Sequence, residues 1–237
     1  MGVNSVTALL EHAPEKIVRG WISKSSKRIE KIHENLLKIG VAVELADERA
    51  LDRRAAGVRH QGVIVEFQAT EPLRLADLQT RLEPLSHPLI LVLDGITDPH
   101  NLGACMRSAA AAGAVAVVVP RDRAASLTPV TRRAAAGAAE LIPLVAVTNL
   151  ARALAALAEQ GIWRVGLAGQ GETSLYAADL AGPLALVVGS EERGLRRLTR
   201  EHCDQLVRIP MAGSIESLNV SVAAGIALFE ALRVRAA

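Results

Sequence analysis

Residues 89–120 read LILVLDGITDPHNLGACMRSAAAAGAVAVVVP, and this stretch predicts how the larger part of the chain folds. It begins with an apolar run (89–94), passes through a polar loop into a helical segment (102–112), and ends in a second apolar run (115–120). Short apolar runs joined by helices are typical of parallel strands that are buried on both faces of a sheet. The alternation continues beyond residue 120, which predicts an α/β fold with a largely parallel sheet covered by helices.

A smaller α/β module precedes this region. It contains a helix with apolar residues at helical spacing, SKRIEKIHENLLKIG (26–40), and short strands such as GVIVEF (62–67). Residues 71–87 contain prolines, show no clean period and are interpreted as a connector. The sequence therefore predicts a domain over residues 1–70, a linker over 71–87 and a second domain over 88–237.

Composition adds constraints on the core and on the surface. Half of the residues are hydrophobic but only 2% are aromatic, so the core must consist of Val, Leu, Ile and Ala. The net charge is only +2, which gives no global basic field for binding nucleic acid. All five lysines lie within the first 38 residues, which indicates that the two domains have different surfaces.

The chain lacks the marks of an exported or membrane-bound protein. Its N-terminus does not have the layout of a signal peptide, and no long uncharged apolar run is present. Cys105 and Cys203 have no metal-ligand spacing, so no metal site is predicted. We expect a soluble cytoplasmic protein with two reduced thiols, the alternative being a single disulfide.

Motifs of several large enzyme classes are missing. No G-x-G-x-x-G follows the first strand of the larger domain, and G-x-x-x-x-G-K-[ST], H-E-x-x-H and G-x-S-x-G are absent. The sequence thus argues against NAD-binding enzymes, P-loop NTPases, zinc proteases and α/β-hydrolases.

Polar residues instead follow three apolar runs of the larger domain. Asn101 and Arg107 follow the first run, Glu191 follows the second, and Ser217 and Asn219 follow the third. Ligands of open α/β sheets bind at the carboxyl ends of strands, so these loops predict a binding site. The structural alternative makes Asn101 and Ser217 helix N-caps and has Glu191 stabilise a helix start, but it leaves Asn219 inside a helix without a capping role.

Small residues near these polar groups suggest close approaches. Helical side chains lean towards the N-terminus, so Gly103 and Ala104 would let Arg107 lie back towards Asn101. Gly189, directly after an apolar strand, would let a ligand approach the backbone.

The three polar segments, NLGACMRSA (101–109), GSEERGL (189–195) and IPMAGSIESLNVSVAAGIALFEAL (209–232), resemble the signature motifs of the SpoU (TrmH-like) RNA ribose 2′-O-methyltransferases of the SPOUT superfamily. GVNSVTALLE (2–11) and RHQGVIVEF (59–67) resemble the substrate-binding domain of the branch that methylates a guanosine of bacterial 23S rRNA. The resemblance implies a ribosomal-protein-like RNA-binding domain and a SPOUT domain with a trefoil knot. It also implies S-adenosylmethionine as methyl donor and a homodimer formed through the C-terminal domain.

The resemblance also implies roles for particular residues. Catalytic and pocket-shaping roles fall to Asn101, Arg107, Glu191, Ser217 and Asn219. Cofactor contacts, mostly through the backbone, fall to Gly189, Ile209 and Leu218. RNA contacts would come from a cluster around one helix start, whose alternative interpretation is a solvated helix face: Lys24, Lys27, Arg28 and Lys31. Relatives often carry glycine at the position of Glu192, so Glu192 receives no role.

In this reaction the 2′-hydroxyl loses its proton while it attacks the methyl group. A guanidinium keeps its proton at neutral pH, so we expect Arg107 to stabilise the developing alkoxide or to hold a phosphate rather than to act as the base. The substrate would be 23S rRNA or a precursor in an assembling ribosome. The alternatives are a tRNA ribose methyltransferase, a catalytically inactive RNA-binding relative, and a nucleotide-dependent oxidoreductase.

Overall fold

A computed structural model describes residues 1–23, 26–215 and 217–236. The chain forms two compact units. The N-terminal unit comprises residues 1–71 together with 136–141, and the C-terminal unit comprises the rest of the described chain.

The N-terminal unit is a three-stranded sheet with helices packed against it. Its first six elements are α1 (Val3–His12), β1 (Ile17–Ile22), α2 (Lys27–Lys38), β2 (Ala42–Leu45), α3 (Glu48–Ala55) and β3 (Val63–Phe67). The central strand β1 is parallel to β2 and antiparallel to β3. Ile29, Ile32 and Leu36 of α2 lie in the core, as their spacing predicts. The same helical spacing also predicts Leu37 on the inner face, but Leu37 is exposed.

The C-terminal unit contains most of the remaining elements. In chain order these are α4 (Leu75–Leu82), β4 (Leu89–Asp94), α5 (Pro99–Ala111), β5 (Ala116–Pro120), α6 (Pro129–Ala134), α7 (Ala138–Leu141), β6 (Leu144–Val147), α8 (Leu150–Glu159), β7 (Trp163–Leu167), β8 (Thr173–Ser174), β9 (Leu184–Gly189), α9 (Arg197–Glu201), β10 (Gln205–Arg208) and α10 (Val220–Arg235). The short helix α7 is the exception in this list, because residues 136–141 belong to the N-terminal unit.

The strands of the C-terminal unit form one parallel sheet of order β6-β5-β4-β9-β7-β10-β8, which confirms the predicted α/β architecture. Aliphatic side chains of the central strands, among them Ile90, Val118 and Val187, are fully or almost fully buried. Because all strands run in the same direction, their carboxyl ends meet at one edge of the sheet. Asp94 and Gly189 are paired at that edge, so β4 and β9 end side by side.

The segment 71–87, predicted as a linker, is instead part of the C-terminal unit from residue 72 onwards. It forms helix α4, whose Leu78 and Leu82 lie in the main core cluster. Leu73 also bridges to Val145 of β6. The prolines around this segment mark the ends of a short packed helix rather than a free connector.

Two predicted helices differ in extent. The sequence TPVTRRAAAGAA (128–139) predicts one helix, but the structure divides it into α6 and α7, because Ala136 and Gly137 have positive φ angles of 50° and 99°. The sequence ERGLRRLTREH (192–202) predicts a helix that begins at Glu192, but α9 begins at Arg197. Residues 190–194 form a turn that is closed by a bridge between Ser190 and Gly194, and Gly194 has φ 62°.

Within the described residues, no helix is long and apolar enough to cross a membrane. Strand order alone does not decide whether a chain is knotted, so the trefoil knot stays a prediction.

Candidate active site

Helix α5 begins three residues earlier than expected at the carboxyl end of β4. Asp98 is its N-cap and accepts a hydrogen bond from the backbone N–H of His100 at 2.9 Å. Pro99 occupies the first helical position, where its fixed φ and missing N–H are tolerated. The alternative interpretation of Asn101 as the N-cap of this helix is therefore wrong, and its side chain is left for other partners.

Those partners come from two other loops at the same edge of the sheet. Glu191 Oε1 accepts hydrogen bonds from Asn101 Nδ2 at 3.2 Å, from Asn219 Nδ2 at 2.7 Å and from the backbone N–H of Val220 at 3.1 Å. Asn219 Nδ2 also donates to Asn101 Oδ1 at 3.0 Å. We call these three side chains the Asn–Glu–Asn cluster. Residues from all three predicted loops thus meet within a single chain.

Two of these residues also organise the start of α10. Asn219 is its N-cap, since its Oδ1 accepts from the backbone N–H of Ser221 at 2.9 Å, which corrects the prediction that Asn219 lies inside the helix. The Glu191 carboxylate lies at the same helix start, where the macrodipole favours a negative charge. Glu191 therefore stabilises the start of α10, and not the start of α9, the helix that follows Glu191 in the sequence. Ser217 is exposed and makes no hydrogen bond within the part of the chain described, so it is not the N-cap.

The cluster influences a buried thiol on α5. Burial, reinforced by the nearby Glu191 carboxylate, raises the pKa of Cys105 to about 12. Cys105 and Cys203 are both free thiols, as expected. The Cys105 thiol consequently stays protonated and serves as a small apolar group beneath the cluster.

A cleft of about 400 Å³ opens beside the cluster, and we call it the first cleft. Its lining includes Asn101, Glu191 and Val220 from the cluster region. Further lining comes from the ends of β4 and from the loops after β5 and β9, including Asp94, Asp98, Arg123, Glu192, Arg193 and Arg196.

Arg107 lies on α5 but does not join the cluster. Its side chain is exposed and has no hydrogen bond or ion pair with the described residues. The expectation that Gly103 is small in order to accommodate Arg107 is corrected by the packing. A Cβ on Gly103 would lie 2.5 Å from both Ala134 Cβ and the Thr131 carbonyl oxygen, so this glycine allows α5 to pack closely on α6.

The residues expected to contact a cofactor lie at strand ends. Gly189 is the last residue of β9, Ile209 directly follows β10, and Leu218 directly precedes the N-cap of α10. The structural reason for Gly189 is the chain itself, because a Cβ there would lie 2.0 Å from the carbonyl carbon of Gly194.

The residues expected to contact RNA lie partly along one groove of the N-terminal unit. Lys27 begins α2 and is exposed, whereas Arg28 and Lys31 line a groove of about 430 Å³ between α1 and α2. Arg28 also donates to Asn4 Oδ1 at 2.8 Å. Lys24 lies outside the described residues.

Sequence reasoning did not identify the pair formed by Asp94 and Arg196. The Asp94 side chain is fully buried, and its two oxygens accept from Arg196 Nε at 2.5 Å and from the Arg196 backbone N–H at 2.8 Å. The sequence does carry a signal for this pair, because Asp94 ends an otherwise apolar strand. A carboxylate buried at such a position needs a partner. Elsewhere in the described chain, no cluster of three or more His, Cys, Asp or Glu residues could hold a metal ion.

Comparison with known proteins adds to this geometry. Residues 88–229 match the model of the SpoU rRNA Methylase family, and residues 1–73 match the RNA 2′-O ribose methyltransferase substrate-binding model. The chain belongs to the SpoU methylase family. Both parts of the sequence resemblance are therefore confirmed.

This SpoU methylase is similar over its whole length to known proteins. The chain is 54% identical to 23S rRNA (guanosine-2′-O-)-methyltransferase RlmB of Pseudomonas putida, with 99% of this chain and 95% of that protein covered. It is 50% identical to the protein of the same name from Pasteurella multocida, covering 100% and 98%. Its fold matches the SpoU methyltransferase AviRb of Streptomyces viridochromogenes in complex with AdoMet, with TM-score 0.80, 28% identity and coverage of 100% and 89%.

Proposed function

We propose that this SpoU methylase transfers a methyl group from S-adenosylmethionine to the ribose 2′-hydroxyl of a guanosine in 23S rRNA. The observation that carries the proposal is the full-length similarity, at 50% and 54% identity, to two proteins named for this reaction. The Asn–Glu–Asn cluster at the carboxyl edge of the sheet supports it, because substrates of open α/β sheets bind there. The substrate would be free 23S rRNA or its precursor in an assembling ribosome, and the enzyme would be cytoplasmic.

The residues near the ends of β9 and β10 fit S-adenosylmethionine. The backbone groups of residues 211–215, 217 and 218 make no hydrogen bonds with other described residues, which fits a loop that binds a ligand through its backbone. Ile209 and Leu218 are half-buried apolar side chains that suit an adenine face. We assign cofactor binding to Gly189, Ile209 and Leu218, and bound S-adenosylmethionine would supply the electrophilic methyl group.

The roles of the polar groups follow from their partners. The Asn–Glu–Asn cluster would orient the ribose, because its mutual hydrogen bonds fix the positions of Asn101 and Asn219. Arg107 has no acidic partner among the described residues, so its full charge would be available to stabilise the developing alkoxide or to hold the adjoining phosphate. Ser217, exposed in the loop before α10, would line the same pocket.

The N-terminal unit would hold the RNA away from the reacting nucleotide. Lys27, Arg28 and Lys31 present charge on one side of α2, and Lys24 precedes it in sequence. Aromatic residues are scarce, so phosphate contacts and shape would dominate over base stacking.

A homodimer through the C-terminal unit is part of the proposal. Helix α10 exposes a stripe of large apolar side chains, with Val222 and Phe229 each 49% exposed and Leu232 37% exposed. Exposed apolar stripes of this kind mark protein interfaces. Phe229→Glu should shift the sedimentation coefficient from dimer to monomer, whereas Phe229→Leu should not. A monomeric wild-type protein would contradict this part of the proposal.

Methyl transfer in vitro tests the reaction. The full chain is incubated with radiolabelled S-adenosylmethionine and transcripts of 23S rRNA, 16S rRNA or a tRNA pool from the same organism. Label should enter 23S rRNA and be recovered as 2′-O-methylguanosine after digestion. Label in tRNA alone would favour the tRNA methyltransferase, and absence of label from 23S rRNA and from assembly precursors would contradict the proposal.

A further inference from the structure

A second cleft of about 610 Å³ lies next to the first one, and we call it the second cleft. Its walls come from three loops at the carboxyl edge of the sheet, with Arg123 after β5, Thr148 and Asn149 after β6, and Arg196 and Arg197 at the start of α9. Arg123 and Arg196 line both clefts. The two clefts are therefore neighbours along one edge of the sheet, and the second is not used by the mechanism above.

The two clefts differ in charge. Four carboxylates and three arginines line the first cleft, namely Asp94, Asp98, Glu191, Glu192, Arg123, Arg193 and Arg196. One carboxylate, Asp122, and three arginines line the second cleft. Asp122 lies 3.6 Å from Arg121, which is outside the lining, so its charge is partly offset. Arg196 and Arg197 are likewise paired with carboxylates outside this lining, Asp94 and Glu201, which leaves Arg123 as the unpaired charge of the second cleft. The second cleft is therefore the one that suits an anion.

Arg196 is held in place for such a role. Its Nε and backbone N–H bind the two oxygens of Asp94, whose side chain is fully buried, yet the Arg196 side chain is 54% exposed. The two Nη groups make no hydrogen bond with the described residues and remain free for a ligand. An arginine whose Nε edge is fixed presents its other donors in a constant direction, which suits a phosphate. Arg197, in contrast, is paired with Glu201 at 2.5 Å.

Arg123 supplies the unpaired charge. It is exposed, it has no ion pair or hydrogen bond with another described residue, and it lies between the two clefts. Its φ of 57° is uncommon for a residue other than glycine. Thr148 and Asn149 are exposed in the lining of the second cleft and add neutral hydrogen-bond donors.

We propose that the second cleft binds the phosphodiester backbone of the RNA strand beside the methylated nucleotide, with Arg123 and Arg196 as the phosphate contacts. This inference rests on the proposed function, because the first cleft would hold the ribose that is methylated. The shared arginines would connect the two clefts, so that a strand whose ribose enters the first cleft places a neighbouring phosphate in the second.

The test measures RNA binding by variants of Arg123. Arg196→Ala is unsuitable, because it would leave Asp94 buried without its partner. Arg123→Asn removes the charge with a residue that tolerates positive φ, and Arg123→Lys keeps a point charge. Arg81→Ala is the matched control, since Arg81 is an exposed arginine without a partner in the described chain and lies on α4, away from both clefts.

Affinity of the full chain for a 23S rRNA transcript is measured by filter binding between about 50 and 200 mM salt. Arg123→Asn should weaken binding several-fold and reduce the slope of log K against log salt by about one. Arg123→Lys should retain most of the affinity, Arg81→Ala should match the wild type, and S-adenosylmethionine affinity should be unchanged in all. Wild-type affinity and slope in Arg123→Asn would overturn the inference, as would equal losses in the Lys and Asn variants.

Methyl transfer by the wild type in the same samples separates the two proposals. Transfer to 23S rRNA together with unchanged binding by Arg123→Asn would refute the second cleft alone. Absence of transfer by the wild type would contradict the proposed function, while the binding comparison would still decide whether the cleft holds the RNA backbone.

Discussion

Two sets of polar side chains lie on the segments that follow β4, β5, β9 and β10, and they differ in how they are paired. Asn101, Glu191 and Asn219 bind one another and the start of α10. Arg107 and Arg123 are exposed and unpaired within the described chain. The cluster therefore has a fixed geometry, because its hydrogen bonds are already made within the chain. The arginines instead provide positive charge that no acidic side chain of the described residues neutralises. A polyanionic substrate needs both.

The largest effect is expected from removing an unpaired charge. Arg107→Ala should lower kcat about 10²- to 10³-fold, the range for loss of one group that stabilises developing negative charge. The melting temperature should be nearly unchanged, because Arg107 is exposed and makes no contact that folding requires. Single-turnover methyl transfer and thermal unfolding measure the two quantities, with Arg81→Ala as the control. Near wild-type turnover would refute the assigned role.

The pH dependence of Arg107→Lys distinguishes two roles of residue 107, stabilisation of the developing alkoxide and removal of the 2′-hydroxyl proton. If Arg107 stabilises charge, the lysine variant should keep part of the activity and its pH–rate profile should keep the shape of the wild-type profile. A new ionisation near that of a lysine side chain, with activity restored above it, would instead identify position 107 as the base.

The next largest effect should come from the packing of α5 against α6, because α5 carries both Asn101 and Arg107. In Gly103→Ala the new methyl group would lie 2.5 Å from the Thr131 carbonyl oxygen, so α5 and α6 must separate. Overpacking of this kind costs about 1–3 kcal/mol of unfolding free energy. Gly169→Ala is the control, since a Cβ there meets nothing within 4 Å. Equal melting temperatures for the two variants would contradict the packing account.

A smaller effect on stability is expected from the paired set. Glu191→Ala removes the shared acceptor of the Asn101 amide, the Asn219 amide and the Val220 N–H, although Asn219 Nδ2 keeps its bond to Asn101 Oδ1. The loss should cost about 1–2 kcal/mol, because water can replace part of the missing interactions. Glu192→Ala, next to it and exposed, should change the unfolding free energy by less than about 0.5 kcal/mol. Thermal or urea unfolding compares them, and a loss in Glu192→Ala as large as that in Glu191→Ala would argue against the cluster.

The smallest effect concerns Cys105, which reports on the Glu191 charge. Because burial and Glu191 raise the pKa of this thiol to about 12, little thiolate exists near neutral pH and reaction with a disulfide reagent should be slow. In a Cys203→Ser background, Glu191→Gln should lower the pKa of Cys105 and speed the reaction less than about tenfold. Glu192→Gln should leave the rate unchanged, and equal acceleration by both would contradict the assignment.

The sequence predicted the sheet because its strands are apolar runs whose period does not depend on distant residues. It also predicted that Asn101, Glu191 and Asn219 lie near one another, because each follows an apolar run and the carboxyl ends of parallel strands meet at one edge of the sheet. What it could not predict depends on partners far along the chain. Position 103 requires glycine because it packs against α6, which is distant in the sequence. Glu191 accepts a hydrogen bond from the start of α10, since its own loop turns back at Gly194.

Local signals were also misjudged at helix starts. Asp98 and Pro99 together begin α5, whereas the first apolar residue of the pattern suggested a start three residues later. The sequence of 71–87 predicts a linker because Leu78 and Leu82 are too few to show a period, although both are buried in the structure.

Mapping of 2′-O-methylation on 23S rRNA tests the central claim most directly. Primer extension at low nucleotide concentration is performed on rRNA from cells with and without the gene. We predict that one stop at a guanosine of 23S rRNA disappears in its absence, returns with the wild-type gene and does not return with Arg107→Ala. An unchanged 23S rRNA map in cells without the gene would contradict the claim.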